Sequence, residues 1–218
     1  MNHEISQWRG DRDDQQDRAR VVQIKSCTVA IVADGMGGES GDKAAEVAIG
    51  CVVRSLRTRS AALDGSQRNM SGLLLRAIDA AAEGVRTLRN DLHEPFIGCT
   101  IVVALIWRDR VVVANVGDAW AIVRDGDVIM PATIPANHAY FHGPGMANRI
   151  TSLIPERRIV TIHDMLLVRR SPVVHLGTDG VIPTPQVSFK TTDQLIEAAQ
   201  ALPPGRRDNA TVIRVWAD

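Results

Sequence analysis

Aromatic side chains are scarce in this 218-residue chain: Phe, Trp and Tyr together make up 4%. That leaves no platform on which the bases of single-stranded nucleic acid would stack. Cysteine is scarce too. Cys27, Cys51 and Cys99 are odd in number and far apart in sequence, which argues against a disulfide framework or a zinc ribbon and for a reducing compartment. Net charge is absent: 25 Lys and Arg stand against 25 Asp and Glu. A balanced chain has no bulk attraction to nucleic acid or an anionic membrane, so function must reside in a local site. Long apolar runs are missing as well. The stretch 101–107 is among the longest, against roughly 20 residues for a membrane span. The opening MNHEISQWRGDRDD holds no apolar signal-peptide core. A soluble, cytoplasmic monomer without nucleic-acid or membrane partners is the expectation.

What is present is an ordinary globular composition, 45% hydrophobic and 23% charged, of a length suited to one domain over 1–218. Apolar alternation and short apolar runs predict strands over 5–9, 19–24, 28–33, 100–107, 111–116, 119–124, 128–130, 159–162, 165–168, 173–177 and 210–216. The run 28–33 has no polar member, as expected of a strand covered on both faces. Helical spacing predicts helices over 43–56, with Asp42 as its cap, over 71–92, and over 192–202. The segments 57–70 and 131–152 are expected to loop. Strand runs broken by a helix pair and a late helix do not read as βαβ alternation. They indicate an α+β fold, two antiparallel sheets with helices outside.

One pattern recurs. Apolar strands end in aspartate beside glycine at Asp34-Gly35, Gly117-Asp118 and Asp179-Gly180; Asp208 precedes the last strand, and Asp17 closes the first loop. A strand fixes its terminal residue, so carboxylates at several strand ends converge at little entropic cost. Gathered carboxylates repel, and a hard cation such as Mg²⁺ or Mn²⁺ relieves that conflict with oxygen ligands. A single Asp-Gly at a strand end is usually a turn; three with two further acids are harder to read so. Other motifs are weaker. His138 and His142 are spaced i, i+4, but Pro135, Gly143 and Pro144 surround them. The run 11–17 resembles a calcium loop but lacks its sixth-position glycine and twelfth-position glutamate. DGMGGESG lacks the Lys-Ser/Thr ending of a P-loop.

In order along the chain, GDRDDQQDR, VADGMGGESGDKAAE, GCTIVVALI with VVVANVGDAWAIV, LGTDG and RDNATVIRV resemble the motifs of the metal-dependent protein phosphatases, the type-2C serine/threonine phosphatases. The resemblance runs from Gly10 to Val215. It implies a β-sandwich flanked by α-helices, two Mn²⁺ or Mg²⁺ ions, and a phosphoserine or phosphothreonine protein as substrate. It implies further that Asp34 bridges the cations and the Gly35 carbonyl binds one, that Asp179 and Asp208 hold the other, and that Asp17 binds or orients water. Arg12 would grip the phosphate, and Asp118 matches an aspartate tied to a looser third cation. Water between two cations loses a proton near neutral pH, and that hydroxide would attack phosphorus in line, with no phospho-enzyme.

The departures are specific. Gln16 stands where the family has a metal-binding glutamate. An amide oxygen coordinates without bringing charge, so one cation is expected to bind more weakly, and Gln16→Glu to tighten it. Met36 replaces a histidine of many eukaryotic members and matches bacterial ones. Pro183 replaces an acid, which disfavours a third cation. Asn137-His138 replaces aspartate-histidine, and the stretch 137–148 is a short flap. The alternative reading is a pseudo-phosphatase that binds a signalling partner without turnover.

Overall fold

The computed structural model describes residues 1–63, 67–133, 152–156, 160–167 and 172–217. Asn137, His138 and His142 lie outside them. The chain opens with β1 (Asn2–Trp8), β2 (Arg18–Ile24), β3 (Cys27–Ala33) and the two-residue β4 (Gly35–Met36). The helices α1 (Gly41–Thr58) and α2 (Gln67–Leu92) follow. Then come β5 (Gly98–Cys99), β6 (Ile101–Trp107), β7 (Arg110–Val116), β8 (Trp120–Asp125) and β9 (Val128–Pro131). The described part ends with β10 (Thr161–Leu166), β11 (Pro172–Gly177), α3 (Thr192–Gln200) and β12 (Ala210–Trp216).

Two antiparallel five-stranded sheets result, ordered β1-β12-β11-β8-β9 and β10-β7-β6-β3-β2, and β4 pairs with β5 apart from them. Their facing sides pack together through Ala30, Val32, Val102, Ala104, Leu176 and Ile213. The opposite face of β3 turns Val29, Ile31 and Ala33 toward α1 and α2. Strand periodicity of two thus assigns alternate residues of one apolar run to two different cores. Since both sides are covered, no polar member is tolerated. On the outside of the other sheet, α3 buries Leu195, Ile196 and Ala199 against Trp120 and Val212. Each fully buried Val, Leu or Ile contributes about 1.5–3 kcal/mol, so the order is helices, sheet, sheet, helix. The α+β sandwich read from the sequence is the architecture observed.

Four local expectations change. First, Asp42 does not cap α1. Ser40 is the N-cap residue and makes no side-chain cap bond; Asp42 lies in the first turn and pairs with Arg18 at 2.7 Å. Second, the loop over 57–70 is largely structured. α1 runs to Thr58, a 3-10 turn covers Ser60–Ala62, and α2 starts at Gln67. Buried Leu63 and Met70 anchor this polar stretch to the core. Third, β1 begins at Asn2, because its polar residues have partners on α3. Ser6 and Thr192 share a hydroxyl hydrogen bond of 2.7 Å, and Glu4 accepts from the Thr192 amide at 2.9 Å. Fourth, β10 continues through His163-Asp164, where a break between strands was expected. Asp164 is neutralised there by Arg110 at 2.6 Å.

Candidate active site

The register brings particular strand ends to one edge of the sandwich. Arg18 at the start of β2 pairs with Ala33 at the end of β3, so Asp17 and Asp34 are set side by side. Ile101 pairs with Val116 and Val102 with Val32, which puts the end of β7, and Asp118 after it, at the same edge. In the other sheet Gly177 at the end of β11 pairs with Val212 near the start of β12, so Asp179 and Asp208 are close. A cleft of about 620 Å³ opens here. Arg12, Asp34, Gly35, Asp118, Asp179 and Asp208 all line it. Asp17 is buried just beneath, with 0% of its surface exposed.

Two glycines make the turns possible. A Cβ on Gly35 would sit 2.1 Å from the Gly41 carbonyl oxygen and 2.8 Å from that of Gln16, so only glycine lets β4 pass between them. Gly117 has φ +97°, a conformation strained for residues with a Cβ, and its turn tucks Asp118 into the cleft wall.

The electrostatics are those of crowded acids. Burial pushes Asp34 well above the usual carboxylate range, and repulsion from Asp17, Asp179, Asp118 and Asp208 adds to it. Burial also raises Asp17 to about 6, against hydrogen bonds that favour its charged form, from Thr178 foremost. Thr178 Oγ1 donates to Asp17 Oδ2 at 2.8 Å and accepts from the Thr211 amide at 3.0 Å. Asp17 Oδ1 has no hydrogen-bond donor among the described residues. Asp179 rises to about 7, by crowding of its carboxyl first, then by repulsion from Asp118, Asp208 and Asp17. As a residue Asp179 is exposed at the cleft mouth.

Arg12 stands over this cluster with 62% of its side chain exposed. Its Nε donates to Asp208 Oδ1 at 2.7 Å and its terminal nitrogen to Oδ2 at 2.5 Å. This fork-on-carboxylate pair holds the guanidinium proton more firmly than usual, and Asp179 and Asp34 add to the effect. Among the described residues, no three acidic, histidine or cysteine side chains are drawn together tightly enough to clasp one ion as they stand. The donor set nevertheless suits a hard cation: carboxylate oxygens, one of them buried and without a donor, around a turn that carries the Gly35 carbonyl.

The structure therefore brings together all seven residues singled out from sequence: Arg12, Asp17, Asp34, Gly35, Asp118, Asp179 and Asp208. Two organisers were not foreseen. Thr178 bonds across the sheets as described. Buried Asn209 donates to the carbonyls of Arg9 at 2.7 Å and Asp14 at 3.0 Å, and its Oδ1 accepts from the Gln16 amide at 2.8 Å. Both directly adjoin a site aspartate in sequence, which was the one available signal. Met36 flanks the cleft, and Pro183 is exposed beyond Val181.

Residues 9–204 match the model of the family described as Protein phosphatase 2C. The chain is 28% identical over 178 residues to the serine/threonine phosphatase stp of Listeria innocua, an alignment covering 80% of this chain and 66% of that one. The chain thus spans just under two thirds of that relative's length. Its fold resembles a serine/threonine phosphatase of S. agalactiae, with TM-score 0.80, 20% identity and 100% of each chain covered. It also resembles PppA, a key regulatory component of T6SS in Pseudomonas aeruginosa, with TM-score 0.80, 17% identity, and 98% of this chain and 96% of that one covered.

Proposed function

Because the chain belongs to the protein phosphatase 2C family, we propose that it is a metal-dependent phosphatase of phosphoserine and phosphothreonine proteins, built as one catalytic domain. The observation that carries this reading is the meeting of Asp34, Asp118, Asp179 and Asp208 from separate parts of the sequence in one cleft, with Asp17 beneath them and an arginine at the mouth. Asp34, Asp179, Asp208, Asp17 and the Gly35 carbonyl would hold two Mn²⁺ or Mg²⁺ ions, with Asp118 in the cleft wall. Bound there, such cations supply the positive charge that acidifies a water nucleophile and steadies phosphoryl oxygens.

The chain's own residues do the rest. Arg12 offers a planar fork that suits a phosphate dianion as well as it suits Asp208. Transferring that fork from Asp208 to the substrate binds the ester and frees a carboxylate for a cation. Thr178 keeps Asp17 oriented, and the Gly35 turn keeps its carbonyl open to the cleft. A thiol route finds no support. Burial pushes Cys27 up to about 12 and Cys99 higher still, so neither supplies a thiolate near neutral pH.

Gln16 favours a second reading, binding without turnover, since it withholds one carboxylate. Hydrolysis of p-nitrophenyl phosphate and of a phosphothreonine peptide, with Mn²⁺ and with EDTA, decides between them. Turnover that needs Mn²⁺ and disappears in Asp34→Ala is expected. A wild type inert toward both substrates would support the binding module instead.

A further inference from the structure

We propose that Gln16 is a positioning residue whose side-chain amide pins the 37–40 loop beside the cleft, and that it is not a cation ligand. The proposal builds on the reading of this cleft as the phosphatase centre. Gln16 Nε2 donates to the Gly38 carbonyl at 2.7 Å. A carbonyl oxygen only accepts, so the nitrogen end of the amide is committed to the loop. The oxygen end is seated against the start of α1, where a Cβ on Gly41 would come within 2.7 Å of Gln16 Oε1.

The backbone of the same residue bonds two more pieces of the site. Its N–H donates to Asn209 Oδ1 at 2.8 Å, and its carbonyl accepts from the Gly35 amide at 3.3 Å. Gln16 therefore joins the segment that carries Asp208, the turn that follows Asp34, and the glycine loop. From the far side the loop is held by Ser40 Oγ, which donates to Glu94 Oε1 at 2.9 Å. Glutamate at position 16 would do the opposite of what the family pattern suggests. When ionised, its carboxylate has no proton to give and would face the Gly38 oxygen lone pair to lone pair. It would also add one more carboxylate to a cleft already lined by aspartates that repel one another. The amide matches the spacing of glutamate, keeps the tether and adds no charge.

The test is hydrogen exchange on the full chain in EDTA, comparing wild type with Gln16→Glu and with Gln16→Met, which keeps the length and loses the donor. Backbone amides of 36–40 should exchange about 2- to 10-fold faster in both variants, the range that corresponds to one lost neutral hydrogen bond. Amides of β6 should stay within twofold and report an intact fold. Mn²⁺ affinity of Gln16→Glu, read by calorimetry or electron paramagnetic resonance, should be no tighter than wild type. At saturating Mn²⁺ both variants should lose kcat for p-nitrophenyl phosphate and keep KM within twofold, since Arg12 is untouched. Unchanged exchange at 36–40, tighter Mn²⁺ binding by Gln16→Glu, or a KM effect with kcat intact would each overturn the assignment. Failure of the phosphatase reading would show separately, as a wild type without turnover, because the exchange is measured without metal or substrate.

Discussion

Single residues carry two roles here that are separable by measurement. Arg12 is the cationic partner of Asp208 and the proposed grip on phosphate. Arg12→Ala should therefore lower kcat/KM for p-nitrophenyl phosphate about 10- to 100-fold, the worth of a hydrogen-bonded charge pair. In the same variant Mn²⁺ binding should be equal or tighter, because Asp208 no longer has a competing cation. Weaker Mn²⁺ binding would show that Arg12 supports the site rather than competing for it. Of the seven candidate residues, Asp34, Gly35, Asp118 and Asp179 were legible because aspartate beside glycine at the end of an apolar strand is a visible pattern; Asp17 and Asp208 stood out as further acids beside strands, and Arg12 only through the motifs in family order. Thr178 and Asn209 were not legible. Their work is to bond segments far apart in sequence, and no local pattern encodes a hydroxyl that reaches Asp17 from 161 residues away.

His175 gives a pH signature at the same scale. It is fully buried on β11, and burial lowers it to about 4. Its Nε2 lies 3.0 Å from the Lys190 carbonyl, which fixes the neutral tautomer with the proton on Nε2. An unfolded histidine takes a proton near 6.5, so between about 6.5 and 4 the unfolded state binds more protons than the native one. Stability from this group is full above 6.5 and falls as pH drops toward 4, by at most about 1.4 kcal/mol per pH unit. The aspartates with raised values act in the opposite direction over pH 4–7, so the comparison must be between variants. Urea unfolding of the metal-free chain should show a shallower loss from pH 6.5 to 4 in His175→Leu than in wild type. Equal slopes would mean that His175 is charged in the fold.

At the scale of elements, the hydrophobic pattern located the helices and nearly all the strands because each buries a periodic face. It failed where polar side chains do the holding. Glu4 and Ser6 extend β1 by bonding α3, and Arg110 carries β10 past Asp164, so hydropathy drops while pairing continues. Around 57–70 the two buried residues Leu63 and Met70 are too sparse to show a period. The 3-10 turn at Pro185–Phe189 was not foreseen either; its Val187 packs beside Trp120, and five residues give too little periodicity to see. Thr178 tests the tie between the sheets. Thr178→Val keeps the shape but removes the donor to Asp17 and the acceptor for the Thr211 amide. It should cost about 1–3 kcal/mol in urea unfolding. A change under about 0.5 kcal/mol would mean the two sheet edges are held by packing alone.

For the whole molecule, two sheets and their helices exist as a stable frame around an edge where like charges are forced together. Unit charges about 4 Å apart repel by roughly 4 kcal/mol at an effective dielectric of about 20. Folding therefore stores unfavourable electrostatics at the cleft, which divalent cations, bound there as proposed, would release. The trade is between stability and function: removing one acid should make the metal-free protein more stable while ending its response to metal. Among the described residues no helix is long and apolar enough to cross a membrane, and the phosphoprotein substrate would meet the site at the sheet edge where Arg12 is exposed.

The most direct test of that claim is thermal unfolding of wild type and Asp34→Asn at pH 8, in EDTA and across a Mn²⁺ titration. The predicted result is a higher Tm for Asp34→Asn than for wild type in EDTA, by about 2–4 °C for each kcal/mol of repulsion removed. With Mn²⁺ the wild type should gain Tm steeply and the variant hardly at all. Equal Mn²⁺ responses in the two proteins, or a lower Tm for Asp34→Asn in EDTA, would contradict a cation site centred on Asp34.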